Sequence, residues 1–225
     1  MWEEKKEGTK IGNKSDMVDL SFSVDCKELP YDHAYELSSE LINIIPEIQN
    51  DSRNAIQTLH GPMSGNGWVR PDSENIFLSK RSKLLMRVCK NQLDNVRSLE
   101  GKNIKIFGNK LFIGKSKVKK FLIVKDLFCR FVNSNANLSE DSFLEQVQKE
   151  LEKSNIHISK AICGKSKIIS FGKISLHTRS LMIADLTKEE SLKLQEKGVG
   201  KQRLYGCGIF LPHKSIDAVG NFKED

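Results

Sequence analysis

The sequence predicts an α+β protein built from two ferredoxin-like units in tandem. Apolar and polar side chains alternate from Met17 onwards, which indicates a strand with one buried face. A helix, two strands, a helix and a strand follow, and the same order then recurs in the second half of the chain. The predicted division is a flexible tail at 1–16, domains at 17–116 and 117–212 joined near 114–120, and a second tail at 213–225.

The first unit has the clearer pattern. Pro30 marks the entrance of its first helix, because proline is tolerated in the first helical turn. Apolar residues then recur at helical spacing, at Leu37, Leu41, Ile44, Ile45 and Ile48. The remaining predicted elements are strands at 76–78 and 84–88, a helix at 91–99, and a hairpin of strands 104–107 and 111–113.

The second unit repeats the order. Thr187 and Glu190 have the spacing of a capping box, so a helix is expected to begin there and run to Lys197. The other predicted elements are strands at 121–132, 168–176 and 180–185, a helix at 139–153, and a last strand from Ile209.

Composition limits the class of protein. The chain has 225 residues and a formal charge of +7, which favours a polyanionic partner. No apolar run reaches the length of a membrane span, and no signal peptide opens the chain, so we expect a cytoplasmic protein without a membrane partner. Its five cysteines are widely spaced without a C-x-x-C pair, which suits a reducing compartment and disfavours a zinc site.

A glycine-rich segment lies near the C-terminus, between the predicted Thr187 helix and the last strand. Glycine allows positive φ angles and close backbone approach, so this density of glycines indicates a purpose at the level of the backbone. Free N–H groups and two cations could hold a phosphodiester there, although a bulged hairpin turn would have the same composition. The candidate phosphodiester-binding residues are Gly198, Gly200, Lys201, Arg203, Gly206 and Gly208.

A run of lysines without acidic residues extends from Lys102 to Lys125. Most lysine runs are solvated surfaces, but an unbalanced run on a hairpin and linker also suits contacts to phosphates. The candidate phosphate contacts are Lys115, Lys117, Lys119 and Lys120, together with Lys80 and Arg81 in an earlier turn.

Histidine is the side chain to consider for proton transfer, since its pKa lies near neutrality. His60 follows an apolar segment and precedes the glycine-rich loop 61–67, where a catalytic side chain can meet a substrate. A surface histidine is the alternative. His33 lies in the first turn of the first helix, where its ring can bind backbone groups.

These features together carry a family resemblance. The order helix, G-x-G-x-x-R-x-x-G-x-G-x-F, strand resembles the C-terminal loop of the RAMP superfamily of CRISPR-associated RNA-binding proteins. The stretch 29–37 is similar to the first-helix entrance of the endoribonucleases of that superfamily, which mature guide RNA from repeat transcripts. The brevity of the chain is similar to the MYXAN-type branch, and the resemblance covers 17 to about 212.

The resemblance implies RAMP-type, RRM-like domains and a metal-free site without a cofactor. His60 falls where the family's catalytic histidine lies, whereas the position of His33 is usually structural. The family's first-helix tyrosine is missing, because residues 41–43 read Leu-Ile-Asn. Tyr35 or Tyr31 is a substitute, and the second catalytic group stays open between a tyrosine, Lys80 and Arg81.

Two functions follow as expectations. The first is an endoribonuclease that cuts CRISPR repeat RNA through attack by the 2′-hydroxyl, leaving a 2′,3′-cyclic phosphate. Whether it remains on the 3′ stem of the product, and whether other Cas proteins bind it, stays open. The second is a non-catalytic RNA-binding subunit of an interference complex, and an unrelated basic ferredoxin-like domain is the third alternative.

Overall fold

Two large antiparallel sheets, each packed against two helices, and a separate two-stranded sheet form the described part of the protein in the computed structural model, which covers residues 15–61, 75–136 and 138–213. The strands of the first unit are β1 (Met17–Asp25), β2 (Glu28–Pro30), β3 (Ala55–Ile56), β4 (Asn75–Phe77), β5 (Lys83–Cys89), β6 (Asn103–Ile106) and β7 (Asn109–Lys119). Its helices are α1 (Ala34–Ile44) and α2 (Leu93–Arg97). Most of the two predicted tails, and all but the first residue of the loop 61–67, lie outside the described residues.

The second unit completes the chain. Its strands are β8 (Leu127–Ser134), β9 (Lys160–Cys163), β10 (Lys167–Phe171), β11 (Ile174–Ala184) and β12 (Phe210–Pro212). Its helices are α3 (Glu140–Glu152) and α4 (Lys188–Lys197). Among the described helices, none combines the length and the hydropathy needed to span a bilayer.

Both sheets have the ferredoxin-like strand order. The first sheet runs β3-β5-β1-β7-β6, and the second runs β10-β11-β8-β12, with β9 also paired to β11. The opening strand of each unit lies in the middle of its sheet: β1 between β5 and β7, and β8 between β11 and β12. This is the order that the strand–helix–strand–strand–helix–strand sequence generates. The predicted fold class, tandem ferredoxin-like domains, is therefore confirmed.

Helix α4 forms for the reason that the sequence indicated. The Thr187 hydroxyl accepts the Glu190 backbone N–H at 3.2 Å, and the Glu190 carboxylate accepts the Thr187 N–H at 3.0 Å. This reciprocal pair satisfies two donors that a helix N-terminus would otherwise leave unpaired. Helix α3 begins in a similar way, since the Ser139 hydroxyl accepts the N–H of Ser142.

One predicted strand takes a different place. The strand predicted at 76–78 is β4, and it pairs with β2 in a separate two-stranded sheet. The place beside β5 is taken by β3, where Ala55 and Ile56 are fully buried opposite Arg87 and Met86. Two residues are too few to give a periodic pattern, so the sequence did not indicate β3.

The join between the units also differs from the prediction. Strand β7 continues to Lys119, which lies opposite Asp19 of β1. Residues 114–119 of the predicted linker at 114–120, and the predicted boundary between 116 and 117, therefore lie inside a strand. The strand predicted from residue 121 begins at Leu127, and the connection is 120–126.

A buried arginine joins the two units. Arg87 of β5 is fully buried, and its guanidinium binds both carboxylate oxygens of Asp19, at 2.8 and 3.0 Å. It also donates to the backbone oxygens of Gln195 and Phe210 in the second unit, and lies 4.5 Å from the centre of the Phe121 ring. This cluster explains why Asp19 is buried, on the face of β1 that the alternation had predicted to be exposed.

Candidate active site

His60 lies at the contact between the two units. Its Nδ1 atom is 3.0 Å from a guanidinium nitrogen of Arg130 on β8, and its Nε2 atom is 3.2 Å from the hydroxyl of Thr58. Both units also line the surrounding pocket. The lining residues are Tyr31, Asp32, Ala34, Thr58, Leu59, His60 and Ile76 of the first unit, and Arg130, Phe131, Ile169 and Ser170 of the second.

The neighbours of His60 set its protonation state. An arginine can only donate, so the Nδ1 atom that faces Arg130 must carry a lone pair, and the ring proton must be on Nε2. Burial, and then the positive charge of Arg130, hold the pKa of His60 well below its ordinary value near 6.5. The ring is therefore neutral at pH 7, which is the state required of a proton acceptor.

Arg130 is a candidate functional residue that the sequence did not indicate. It alternates on β8 with the buried residues Cys129 and Phe131, so its side chain points to the opposite face. Burial lowers the pKa of its guanidinium, but that pKa begins so high that the group stays charged. The alternation was visible in the sequence, but nothing there indicated that this face of β8 meets His60.

His33 has a structural position, and its catalytic role stays a prediction. Its side chain is buried, its Nδ1 atom lies 2.8 Å from the backbone oxygen of Pro30, and its Nε2 atom accepts the N–H of Leu59 at 3.0 Å. Both ring nitrogens are thus used by backbone groups, which fixes the tautomer and leaves neither atom for a substrate. Since Leu59 directly precedes His60, the His33 ring holds the backbone that presents the candidate catalytic side chain.

Tyr31, and not Tyr35, lines the pocket with His60. The Tyr35 ring instead stacks on the ring of Tyr205, with centroids 5.6 Å apart and planes 14° from parallel. This stacking joins α1 to the glycine-rich segment. A catalytic role of Tyr35 stays a prediction, and Tyr31 is the tyrosine that lines the pocket.

The glycine-rich segment, residues 198–208, uses its glycine N–H groups within the protein, and its role in RNA binding stays a prediction. The N–H of Gly198 donates to Leu194, that of Gly206 to Arg203, and that of Gly208 to Phe131, each to a backbone oxygen. The N–H of Gly200 donates to the Glu150 carboxylate at 2.7 Å. None of the four glycine N–H groups points free toward a phosphate.

Every nitrogen of the Arg203 guanidinium donates a hydrogen bond within the protein. Its side chain is buried, and it donates to the backbone oxygens of Arg53, Glu196 and Gly208 at 2.8 to 3.3 Å. A Cβ atom added to Gly208 would lie 2.3 Å from the backbone oxygen of Val199, which shows how tightly the segment folds around this side chain. Arg203 holds the segment together through these hydrogen bonds, and its contact with RNA stays a prediction.

The remaining predicted cations are on the surface. Lys80 and Arg81 are exposed in the turn before β5, and the hydroxyl of Ser82 in that turn makes a long contact, 3.5 Å, to the backbone oxygen of His60. Lys115, Lys117, Lys119 and Lys120 are exposed along and just after β7, and Lys201 is exposed in the glycine-rich segment. In the part of the chain described, no group of three or more His, Cys, Asp or Glu side chains could hold a metal ion.

Comparison with known proteins adds the family. The model of the Cas6 family, described as Cas6 Crispr, matches residues 18–215, which is nearly the whole chain. The chain belongs to the Cas6 family. The resemblance of the glycine-rich segment and the first-helix entrance to CRISPR-associated RAMP proteins is thereby confirmed.

Similar proteins agree with this Cas6 assignment. The chain is 28% identical over 201 residues to the CRISPR-associated endonuclease Cas6 of Myxococcus xanthus, covering 89% of this chain and 84% of that protein. A solved structure of a CRISPR associated protein Cas6 matches with a TM-score of 0.64 at 12% identity, over 88% of this chain and 100% of that one. A Cas6-related protein of Pyrococcus furiosus matches with a TM-score of 0.61 at 14% identity, over 86% and 97%. At such identities the solved structures bear on the fold alone.

Proposed function

We propose that this Cas6 chain is an endoribonuclease that cleaves CRISPR repeat RNA within the repeat, without a metal ion or cofactor. The observation that carries the proposal is the neutral His60 ring beside the Arg130 guanidinium, in a pocket that both units line. A proton acceptor for the 2′-hydroxyl and a cation for the phosphoryl oxygens are two of the groups that promote internal cleavage of an RNA phosphodiester. An RNA substrate also suits a cytoplasmic enzyme.

The reaction uses a nucleophile that RNA carries itself. The 2′-hydroxyl gives its proton to Nδ1 of His60, and its oxygen forms a bond to the adjacent phosphorus. The bond from phosphorus to the 5′-oxygen breaks, which leaves a 2′,3′-cyclic phosphate and a 5′-hydroxyl. The departing 5′-oxygen takes a proton from a second donor, and Tyr31 is our candidate because it lines the same pocket.

Arg130 has two connected roles in this mechanism. In the free protein its guanidinium donates to Nδ1 of His60 and disfavours protonation of the ring. A substrate phosphate attracts the guanidinium more strongly than a neutral ring does, because charged hydrogen bonds are the stronger ones. Binding of RNA thus moves the cation to the phosphate, frees Nδ1, and places a positive charge where negative charge grows in the transition state.

Metal independence gives a direct test. We expect the purified protein to cleave its repeat RNA at one position at the same rate with or without excess EDTA, since the nucleophile, base and cation all come from RNA and protein. Product ends can be identified by phosphatase and kinase treatment followed by mass spectrometry. The matched control is an RNA with a 2′-deoxy sugar at the cleaved position, which should bind but stay intact. A requirement for magnesium, or a product with a 3′-hydroxyl, would contradict the mechanism.

The exposed lysines are proposed to bind the phosphate backbone of the repeat. Affinity should therefore fall steeply with salt, with a slope of about −0.7 for each contact to single-stranded RNA. Lys117→Gln and Lys119→Gln should each flatten that slope by about 0.7 in filter-binding titrations. The control is Lys149→Gln, an equally exposed lysine on α3. An unchanged slope in both lysine variants would mean that β7 does not contact RNA.

RNA that binds tightly but is never cleaved by wild-type protein would overturn the endoribonuclease proposal. The non-catalytic RNA-binding subunit would then be the better description.

A further inference from the structure

We infer that the glycine-rich segment positions His60 for catalysis, and that the contact between Gly206 and Thr58 is how it does so. The inference rests on the proposed catalytic role of His60. It gives the segment an effect on the rate of cleavage, in place of the predicted effect on RNA affinity. Gly206 and Thr58 are positioning residues in this scheme, because neither is required to touch the substrate.

The segment is pressed against the part of the first unit that leads to His60. Arg203 donates to the backbone oxygen of Arg53 at 2.9 Å, just before β3. The hydroxyl of Ser38 on α1 donates to the backbone oxygen of Leu204. Together with the stacking of Tyr205 on Tyr35, these contacts fix the segment to both α1 and the strand that ends near His60.

The closest approach is at Gly206. Its φ angle is +88°, and a Cβ atom added there would lie 2.6 Å from the Cγ2 methyl of Thr58. The next nearest atom of Thr58 would be its backbone nitrogen, at 3.7 Å. The Cγ2 methyl is therefore the Thr58 atom that would clash with a side chain at position 206.

Thr58 transmits this contact to the imidazole. Its hydroxyl lies 3.2 Å from Nε2 of His60, and hydroxyl and methyl are both attached to the same Cβ. A threonine side chain is stiff about its first torsion, so a push on the methyl moves the hydroxyl as well. The position of Gly206 thus sets where the acceptor for the Nε2 proton lies, and through it the direction in which Nδ1 faces the pocket.

The alternative is that the glycines serve RNA binding, as the sequence pattern had suggested. The backbone donors of the segment argue against it, since all four glycine N–H groups already bond within the protein. The two possibilities differ in what a substitution changes. A binding segment affects the dissociation constant, whereas a positioning segment affects the rate at saturating RNA.

The test combines three variants with single-turnover cleavage and RNA titration. Gly206→Ala should lower the rate at saturating RNA by about tenfold or more, because misplacement of a catalytic group by about 1 Å can cost up to about a hundredfold. Its dissociation constant should change by less than about threefold. Adding Thr58→Ser, which removes the methyl and keeps the hydroxyl, should restore most of the rate. Thr58→Val, which keeps the shape and removes the hydroxyl, should lower the rate by itself.

Several results would overturn the inference. Weaker RNA binding with a normal rate at saturation would make the segment a binding element. A slow Gly206→Ala variant that Thr58→Ser does not rescue would mean that the methyl contact is not the route. If Gly206→Ala does not fold, a normal rate in Thr58→Val is by itself sufficient to reject the role of Thr58.

Failure of the proposed function can be told apart from failure of this inference. If wild-type protein cleaves no repeat RNA, the proposed function fails, and the contact is then measured without RNA. Nitrogen-15 NMR of the histidine rings reports the tautomer of His60. Gly206→Ala should change its ring resonances, and Thr58→Ser in the same chain should return them toward the wild-type positions. Unchanged resonances in both Gly206→Ala and Thr58→Val would reject the contact.

Discussion

Replacing His60 with alanine is expected to slow single-turnover cleavage of repeat RNA at least about a hundredfold, the lower end of what a general acid–base group contributes. Affinity for the RNA should stay near that of wild type, because the ring acts in the transition state and not in ground-state binding. Rapid quench at saturating RNA, paired with a binding titration, measures both quantities.

The pH profile of the wild-type enzyme is a second check on His60. A base must be neutral, so the rate should fall as pH decreases through the pKa of the ring. Burial and Arg130 hold that pKa well below 6.5. Activity should therefore stay level from neutral pH down past 6.5 and fall only in more acidic buffer. Arg130→Gln removes a cation that depresses the pKa, so it should move this acidic limb to higher pH.

His33→Ala is the matched control for His60→Ala. It removes the partners of two buried backbone groups, so it should lower the free energy of unfolding by about 1–3 kcal/mol. Its residual folded fraction should still cleave, since Arg130 and His60 remain. A folded but inert His33→Ala beside a fully active His60→Ala would assign the chemistry to the other histidine.

The largest loss of stability is expected from Arg87→Met. Removing the guanidinium leaves Asp19 buried without its partner, and breaking a buried ion pair in this way costs about 3–5 kcal/mol. Whole domains have only about 5–15 kcal/mol of stability, so the variant should unfold at a much lower urea concentration. The backbone oxygens of Gln195 and Phe210 would also lose a donor.

The double variant Asp19→Asn/Arg87→Met is the control for that prediction. It removes both charges, so it should be more stable than Arg87→Met alone. Urea titration followed by circular dichroism would measure the free energy of unfolding of the wild type, the single variant and the double variant. Amide hydrogen exchange is an independent check. A single variant within about 1 kcal/mol of wild type would mean that Arg87 contributes little to holding the units together.

The sequence was sufficient where local chemistry decides the structure. Helix α4 was predicted from Thr187 and Glu190, because the capping box involves atoms only three residues apart. The order of the main strands followed from hydrophobic periodicity in the same way. Both are features in which neighbours along the chain are also neighbours in space.

The sequence was insufficient where contacts join distant parts of the chain. His60 and Arg130 are 70 positions apart, and no pattern in either segment indicates that they meet. Arg203 looked like a phosphate ligand because glycines and cations surround it, whereas it is buried against the backbone of Arg53, 150 positions away. Whether a charged side chain is buried or exposed depends on how the two units pack, and the sequence around that side chain does not show this.

The division of His60 and Arg130 between two units has a consequence during synthesis of the protein. Arg130 lies on β8, whose neighbour β12 (Phe210–Pro212) is the last of the described strands to be synthesised, with Phe210 opposite Cys129. A nascent chain that already contains His60 therefore has neither the completed second sheet nor a docked Arg130. Under the proposed mechanism, we expect a chain that ends before β12 to lack cleavage activity, because its second sheet is incomplete.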